Sequence, residues 1–491
     1  MHQLAEINVR HWQSRLSRRL GRPATLDDVS DEMLDGYVQD GFTWLYLHGL
    51  WSIGPRVRAV AQSEPNLRAW FQAQRMPCDD AAITGWSLAP CGYEVDAGLG
   101  GNAALARLRA RCRAAGLALM VDFVPNHVGL DHPWLREHPE WFIRGSEEDA
   151  ARRGDSWVRL HGQVFAHGRD PFFAPWRETV QFDLSAEGAR RALVESAVAV
   201  AGMADGLRCD MAMLLLPDVF QGTWGRKAEP FWADCLAQVR RVHPGTLCMA
   251  EVYWNREYEL QQAGFDFTYD KILYDRLLVG EADGIRAHLR GGMDYQSHCV
   301  RFLENHEEQR AAARFPNPDH HRGALFIAAM VPGMLLLHDG QERGARIHAP
   351  LHTALGADED GSPEHARAYR DVLELLGEHA RQHGAWRLLD PRDAGARTLI
   401  ACYWNQTSHA GLLVIVNAAW HHATGVLDAG SLAGNGQRDV TLVDCFDPAS
   451  AATYAPALLR EQGLTITLPP WGTRAWRVVP SRSGRTTSSH G

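Results

Sequence analysis

The stretch NAALARLRARCRAAGLALMVDFVPNHVG (residues 102–129) contains one complete unit of the fold. Its first part, residues 102–116, is a helical stretch that ends in glycine, a residue that commonly terminates helices. A continuous apolar run follows at residues 117–124, and polar residues come directly after it. An apolar strand that follows a helix is typical of a parallel sheet whose two faces are both covered.

The same alternation recurs along most of the chain, from about residue 5 to residue 340. Helical stretches such as residues 102–116 and 231–245 separate short apolar runs. The eight runs that we predict to be strands are residues 6–12, 42–51, 117–124, 206–211, 246–254, 265–270, 298–305 and 333–340. Eight parallel strands are enough to close a (β/α)8 TIM barrel, the fold class that this alternation predicts.

Two regions depart from the alternation. Residues 129–185, between the third and fourth predicted strands, are rich in Pro, Gly, His and aromatic residues, and we predict a small insertion over the barrel mouth. After about residue 385 the segments alternate apolar and polar residues, which predicts an antiparallel β-domain. We therefore predict a barrel domain over residues 1–385, insertion included, a C-terminal β-domain over 386–480 and a disordered tail over 481–491.

Composition excludes several classes of protein. The chain of 491 residues carries a net charge of −9 and no basic run, which argues against a nucleic-acid partner. No run of about 18 apolar residues predicts a membrane span, and the N-terminus lacks the apolar core of a signal peptide. The nine cysteines are scattered without a CxxC pair, which is typical of reduced thiols and predicts a cytoplasmic protein.

Carboxylates or histidines follow four of the predicted strands. They lie in the segments VDFVPNHVG (121–129), GLRCDMA (206–212), CMAEVYW (248–254) and RFLENHEEQR (301–310). The C-terminal ends of barrel strands meet on one face, where the functional groups of such barrels lie. The four segments therefore predict a single polar site.

Asp210 and Glu251 follow neighbouring strands, the fourth and the fifth. Two carboxyl groups ~5–5.5 Å apart can cleave a glycosidic bond with retention, because one attacks the anomeric carbon and the other protonates the leaving oxygen. Arg208 lies two residues before Asp210, so it should point to the same side, lower the pKa of Asp210 and keep it ionised. Glu251 follows an apolar run, where burial should raise its pKa and suit it to donate a proton. The alternative is that both carboxylates are structural salt-bridge partners.

In this order the four segments resemble the four signature regions of the alpha-amylase family, glycoside hydrolase family 13. The resemblance covers roughly residues 5–345. It implies that Asp210 is the nucleophile, that Glu251 is the general acid, and that the carboxylate of Glu307 grips substrate hydroxyls in the transition state. It also implies a substrate-binding set, which comprises Tyr93, Asp122, His127, Arg208 and His306.

Within that set the implied roles differ. His127 and His306 match positions that hydrogen-bond the sugar at the point of cleavage, and Tyr93 lies in the matching loop after the second strand. Asp122 matches a largely structural aspartate, so a loop-fixing role is at least as well supported as a catalytic one. Asn126 matches a position that often binds calcium in secreted amylases, but the sequence identifies no further oxygen ligands, and we predict no metal and no cofactor.

Four positions depart from the family pattern. Glu307 stands where the family has aspartate, and its extra methylene would move the carboxylate by ~1 Å, a shift that can cost about 10²-fold in rate. Either the backbone retreats, or the substrate sits differently, or the enzyme is impaired. Leu88 stands where a stacking aromatic is usual, with Trp86 as a candidate replacement. Met213 and Leu214 stand where a Lys-His pair is common, which suggests an altered leaving-group side.

The sequence thus predicts an enzyme, a retaining α-glycosidase that acts on α-linked glucosides or short maltooligosaccharides. A small carbohydrate is the expected partner. One alternative is a transglycosidase or isomerase that uses the same site. Another is a degenerate barrel that binds glucan without cleaving it, for which Glu307 and Leu88 are the evidence and the retained Asp210, Glu251 and Arg208 the counter-evidence.

Overall fold

The computed structural model describes residues 2–76, 78, 80–356, 359–378, 383–405, 410–434 and 438–480. The tail over residues 481–491, which we predicted to be disordered, lies outside the described residues. No helix in the described part of the chain is both long and apolar enough to cross a membrane.

Eight parallel strands close a barrel, as predicted. In chain order they are β1 (Gln3–Asn8), β2 (Trp44–His48), β3 (Ala118–Phe123), β4 (Gly206–Cys209), β5 (Leu247–Ala250), β6 (Phe267–Tyr269), β7 (Cys299–Arg301) and β8 (Met334–His338). Each strand pairs with its neighbours in the chain, and β1 closes the ring by pairing with β8. As a result β1 lies across the barrel from β5. The strands are almost wholly buried because side chains fill the interior and helices cover the outside.

The first strand lies earlier in the chain than we predicted. Residues 6–12 were expected to form it, but the strand is Gln3–Asn8 and a helix begins at Val9. Asn8 starts that helix, because its side-chain oxygen accepts hydrogen bonds from the N–H groups of Arg10 and His11, at 3.0 and 3.2 Å. The apolar residues after Asn8 belong to the buried face of the helix.

Helices surround the barrel. The predicted helices at residues 102–116 and 231–245 are Gly101–Ala115 and Trp232–Val242. The others are Val9–Leu20, Asp31–Gln39, Pro55–Ser63, Pro65–Ala73, Glu187–Met203, Pro217–Trp224, Glu257–Gln262, Lys271–Val279, Ala282–Leu289, Met293–Gln296, Ala311–Arg314, Pro318–Met330 and Pro363–Leu376.

The insertion after β3 is small and mostly irregular, as predicted. Two antiparallel pairs of short strands hold it, His127–Gly129 with Thr179–Gln181 and Trp157–Leu160 with Gln163–Ala166. Its helices are single turns or little more, Trp134–Glu137 and Glu147–Arg152. The first pair ties the insertion to the segment that leaves β3, so the insertion is anchored at the C-terminal face of the barrel.

The C-terminal domain is antiparallel, which confirms that part of the fold class. Its strands are β9 (Ala385–Leu389), β10 (Leu399–Asn405), β11 (Gly411–Asn417), β12 (Ala423–Leu427), β13 (Val440–Asp444), β14 (Ala451–Tyr454), β15 (Leu464–Leu468) and β16 (Thr473–Pro480), with one short helix, Pro456–Glu461. One sheet has the order β9-β10-β11-β16-β13-β14, and β12 pairs with β15. The domain packs on the barrel helix Pro318–Met330, where the Trp404 indole donates to the Met330 carbonyl at 2.8 Å.

We expect Gly333→Ala to destabilise the barrel strongly. Gly333 precedes β8 with a φ of 112°, and a Cβ there would lie 2.2 Å from the Cys299 carbonyl oxygen of the neighbouring strand. Gly116→Ala is the matched control, because its φ is also positive, at 91°, but a Cβ would meet nothing within 4 Å. The control should lose about 1–3 kcal/mol from backbone strain alone. The thermal unfolding midpoint measures both, and an equal loss in the two variants would contradict the clash.

Candidate active site

The C-terminal ends of the barrel strands surround a cluster of buried charged side chains. Asp122 lies in β3 and Arg208 in β4, while Asp210 and Glu251 come directly after β4 and β5. All four are at most 1% exposed. The structure therefore brings together residues from three of the four predicted segments, and His306 and Glu307 join them after β7.

The Arg208 guanidinium lies at the centre of this cluster. Its Nη1 donates to Asp210 Oδ1 at 2.6 Å and lies 3.4 Å from Asp122 Oδ1. Its Nη2 lies 2.8 Å from Glu251 Oε2. One guanidinium thus contacts three carboxylates. Asp210 and Glu251 are separated by no more than the width of this guanidinium and its two contacts.

Local backbone geometry also positions Glu251. The N–H of Met211 donates to Glu251 Oε2 at 2.7 Å, and the Tyr253 hydroxyl donates to Glu251 Oε1 at 2.8 Å. Met211 has a φ of 43°, a left-handed conformation that costs a non-glycine residue about 1–3 kcal/mol. This strained turn directs the backbone N–H of Met211, the residue after Asp210, onto the side chain of Glu251.

The protonation of the pair differs from the expectation. Burial raises the pKa of Asp210 well above its usual range, and Arg208 offsets this only in part, while the charge of Glu251 raises it further. For Glu251, burial is outweighed by Arg208 and by the Met211 N–H, so its pKa is lowered. The expected order of the two pKa values was therefore wrong, because the guanidinium is shared and the donors around Glu251 favour its charged form.

Glu307 lies beside Glu251 at the open side of the site. The hydroxyl of Tyr253 lies 2.8 Å from Glu251 Oε1 and 3.0 Å from Glu307 Oε2, so one hydroxyl proton faces two carboxylates. Desolvation in the cleft and the charge of Glu251 raise the pKa of Glu307 to about 7. Because Glu307 is solvent-exposed, we attribute the rise mainly to its charged neighbour.

His306 is held by a residue that sequence reasoning missed. Its Nδ1 donates to Glu6 Oε1 at 2.5 Å, and although burial alone would lower the pKa of His306, the Glu6 carboxylate raises it to about 9. The ring stacks on His48, with centroids 4.6 Å apart. One feature of the sequence could have identified these residues. Glu6 in β1 and His48 in β2 are charged or polar residues inside otherwise apolar barrel strands.

Asp122 is fixed by protein groups, which favours its structural interpretation. The Tyr46 hydroxyl donates to Asp122 Oδ1 at 2.6 Å, and the Trp51 indole donates to the Asp122 carbonyl at 3.0 Å. Burial raises the pKa of Asp122, while Arg208 and the Tyr46 hydroxyl lower it. Tyr46 and Trp51 were not among the predicted site residues, because aromatic residues in a strand are ordinary core residues by sequence.

Tyr93 and His127 are also engaged by the protein. The Tyr93 hydroxyl donates to the Val124 carbonyl and accepts from the Val124 N–H, both at 3.0 Å. His127 Nε2 donates to the Leu88 carbonyl at 2.9 Å, Nδ1 lies 3.2 Å from the Asn126 amide nitrogen, and burial lowers the pKa of His127 to about 4. A sugar would have to replace one of these partners, so the implied substrate contacts stay predictions.

The positions that depart from the family pattern have distinct surroundings. Trp86 stacks on His127, with ring centroids 5.4 Å apart and planes 18° from parallel, whereas Leu88 is buried. Met213 and Leu214 are 0% and 3% exposed, in a short 3-10 turn whose apolar side chains pack inward. Burial does not test the altered leaving-group side that the sequence suggested, which stays a prediction.

The side-chain oxygen of Asn126, the position that the resemblance links to calcium, is engaged by the protein. Asn126 Oδ1 accepts a hydrogen bond from the Gln181 side chain at 3.0 Å. Among the described residues, no group of three or more His, Cys, Asp or Glu side chains could hold a metal ion. The absence of a metal requirement stays a prediction.

Comparison with known proteins finds two relatives that act on different reactions by name, an alpha-amylase and a maltosyltransferase. No family model matches the chain. It is 26% identical over 265 residues to the alpha-amylase MalA of Haloarcula japonica, which covers 52% of this chain and 36% of that protein. It is 30% identical over 179 residues to the alpha-1,4-glucan:maltose-1-phosphate maltosyltransferase of Burkholderia pseudomallei, which covers 35% of this chain and 13% of that protein. The chain thus spans well under half the length of the curated relatives it matches.

Solved structures resemble the whole molecule. The maltogenic alpha-amylase AmyB of Thermotoga neapolitana superposes with a TM-score of 0.70 at 17% identity, over 98% of this chain and 99% of that one. The alpha-amylase of Geobacillus thermoleovorans gives 0.66 at 16% identity, over 98% and 99%. The cyclic alpha-maltosyl-(1→6)-maltose hydrolase of Arthrobacter globiformis gives 0.63 at 16% identity, over 93% and 90%. The resemblance to the alpha-amylase family is therefore confirmed, and the chain has the barrel and β-domain fold of that family's enzymes.

Proposed function

We propose that the chain is a retaining α-glycosidase that cleaves α-linked glucosides or short maltooligosaccharides through a covalent glycosyl-enzyme. The observation that carries the proposal is the single guanidinium of Arg208, which contacts both Asp210 and Glu251 at the ends of adjacent strands. Carboxyl groups held within one guanidinium's span are compatible with the ~5–5.5 Å separation of a retaining pair. A barrel that only binds glucan would need no such pair.

Asp210 is suited to act as the nucleophile. Its Oδ1 is held by Arg208, and its buried Oδ2 has no hydrogen-bond partner among the described residues. Oδ2 is therefore free to attack the anomeric carbon as the bond to the leaving oxygen breaks. Arg208 orients the carboxylate and compensates its charge.

Glu251 is suited to act as the acid and then as the base. Both carboxyl groups contact the same Arg208 guanidinium, and the first step requires that Asp210 is ionised while Glu251 carries a proton. Neutral Glu251 then protonates the leaving oxygen, and in the second step its carboxylate takes a proton from the water that attacks the glycosyl-enzyme. The Tyr253 hydroxyl and the Met211 N–H hold the carboxyl group in place through both steps.

Transfer to a sugar is the second candidate, favoured by one observation: one curated relative is a maltosyltransferase. The same glycosyl-enzyme would pass its glycosyl group to a sugar hydroxyl instead of water. Incubation with α-glucosides and maltooligosaccharides, with the products separated by chromatography, distinguishes hydrolysis, transfer and no turnover. We further propose that the protein works in the cytoplasm on a small carbohydrate and without a cofactor, in keeping with its free cysteines.

The roles of the pair predict different responses to substitution. Asp210→Asn should reduce turnover of every substrate by about 10³-fold or more, because no other group can form the covalent intermediate. Glu251→Gln should cost about 10²–10⁴-fold on unactivated glucosides but far less on p-nitrophenyl glucosides, whose leaving group needs no proton. Steady-state kinetics on both substrate types decides. An equal loss for Glu251→Gln on both would contradict its role as the acid.

The contact with Tyr253 predicts that Glu307 is adjusted to its own length. In Glu307→Asp the carboxylate should withdraw by ~1 Å from the Tyr253 hydroxyl and from the sugar, so we expect turnover to fall by up to about 10²-fold. Glu307→Gln keeps the length without the charge, and should lower turnover more than affinity. A rise in turnover for Glu307→Asp would show that glutamate impairs the site. If neither variant changed turnover, Glu307 would not belong to the site.

The raised pKa of Glu307 predicts a pH effect on stability. Its pKa of about 7 lies above the ordinary 4.5, so the folded protein binds this proton more tightly than the unfolded chain. Ionisation of Glu307 should therefore weaken the fold as the pH rises through this interval. The thermal midpoint of the wild type should fall relative to that of Glu307→Gln between about pH 5 and pH 8. Glu195→Gln, on an exposed helix face, is the control. Parallel curves for wild type and Glu307→Gln would contradict the raised pKa.

A further inference from the structure

The loop after β8 crosses the mouth of the barrel. We call residues 345–356 the strap. On the β7 side, His348 Nε2 donates to the His306 carbonyl at 3.0 Å. On the β1 side, the ring of His11 lies 3.3 Å from the Thr353 hydroxyl. The strap is therefore tied to elements on both sides of the strand from which it starts.

The far end of the strap is tied to the loop after β2 and to the insertion. The Thr84 N–H donates to the His352 carbonyl at 2.7 Å, and the His352 ring lies 3.1 Å from the Glu178 carboxylate. His352 also lies parallel to Trp86, at 6.5 Å between centroids, on a column of rings that continues to His127. These contacts make the strap a fixed roof over the β8, β1 and β2 edge of the site.

The roof lies on the side away from the leaving group. Glu251 follows β5, and a general acid must face the leaving oxygen, so the leaving group lies on the β5 side. β1 is across the barrel from β5. Strap residues and Asn8, at the end of β1, line the same cavity, so the strap passes over β1. In a pyranose ring the 4-hydroxyl is opposite the anomeric carbon. A sugar cleaved at this site therefore directs its 4-hydroxyl, where an α-1,4-linked chain would continue, toward the strap.

Beneath the strap is a narrow cavity of about 60 Å³, which His48, His306, His338 and Arg343 help to line. A water molecule needs about 10–15 Å³, so the cavity has room for about 4–6 waters, fewer heavy atoms than one glucosyl unit contains. The cavity adjoins the site through His306, which precedes Glu307 in the chain. It can take the end of a bound sugar but not a further ring.

His48 supplies the polar groups at this end. Its ring is 0% exposed, and neither ring nitrogen has a hydrogen-bond partner among the described residues. The neighbouring His306 Nε2 has none either. A buried polar group that stays unpaired costs about 1–3 kcal/mol, which a hydroxyl of a bound sugar would recover. The ring of His48 lies at the end of β2, close to the strand opposite Glu251.

We propose that the strap makes the site a dead end that accepts only the terminal glycosyl unit of a substrate, and that His48 binds the free 4-hydroxyl of that unit. The inference rests on the proposed glycosidase function and narrows its substrates to those with a free non-reducing end. Chains that continue beyond the 4-hydroxyl are excluded. His48 acts as a specificity-determining residue because it contacts the sugar. His348 and His352 act as positioning residues, because their contacts hold the strap in place.

Binding and turnover of two p-nitrophenyl maltotriosides test the exclusion. One has a free non-reducing end, and the other carries a 4,6-acetal on its terminal unit. We expect the wild type to turn over the free compound at least 100-fold faster, and Asp210→Asn to bind it at least 100-fold more tightly in calorimetry. Similar values for both compounds would overturn the inference while leaving the glycosidase proposal intact. If neither compound is turned over or bound, both fail.

Variants of the strap and of His48 test the residues. The double variant His348→Ala, His352→Ala should gain activity on the acetal-capped compound, whereas His298→Ala, an exposed histidine at the opposite face, should not. His48→Ala should lower kcat/KM on p-nitrophenyl α-glucoside by about 10-fold, but on its 4-deoxy analogue by less than about 3-fold, with partial rescue by His48→Asn. An equal loss on both glucosides would show that His48 only packs, and would overturn its assignment.

Discussion

The site depends on one buried guanidinium. Arg208 is fully excluded from solvent, and a charged group without water is tolerated only where opposite charges surround it. The carboxylates of Asp122, Asp210 and Glu251 provide that surrounding from three consecutive strands. The same ion pairs that allow Arg208 to be buried also hold the two proposed catalytic groups together, so the stability of the barrel mouth and the geometry of the site have a common cause.

The charges around Arg208 also decide where protons reside. Negative groups outnumber positive ones in this cluster, since Arg208 and protonated His306 face the carboxylates of Glu6, Asp122, Asp210 and Glu251. A buried cluster of this kind cannot ionise fully, and the raised pKa values of Asp122 and Asp210 are the result. Glu6 is the exception: burial alone would raise its pKa, but the neighbouring His306 lowers it. The buried cluster therefore favours retention of a proton among its carboxyl groups.

The barrel mouth is covered on one side and open on the other. Three segments cover the side of the cluster that carries His48 and His306: the insertion, the loop after β2 and the strap. Hydrogen bonds, an ion pair and ring stacking join them. A dry, covered site strengthens every electrostatic interaction within it. The open side carries Glu307 and the half-buried Tyr253.

The sequence by itself determined the barrel, because helical stretches and doubly buried strands have different periodicities that persist in the chain. It also determined the position of Asp210, Glu251 and Arg208, because strand ends of a closed parallel barrel must meet on one face. It misplaced the first strand, where the local cap by Asn8 starts a helix that apolar periodicity cannot locate. Only the tertiary structure decided the surroundings of the pair, the contacts of Glu6 and His48, and the path of the strap. Those depend on distances between residues up to about 300 positions apart, such as His306 and Glu6, which no local pattern encodes.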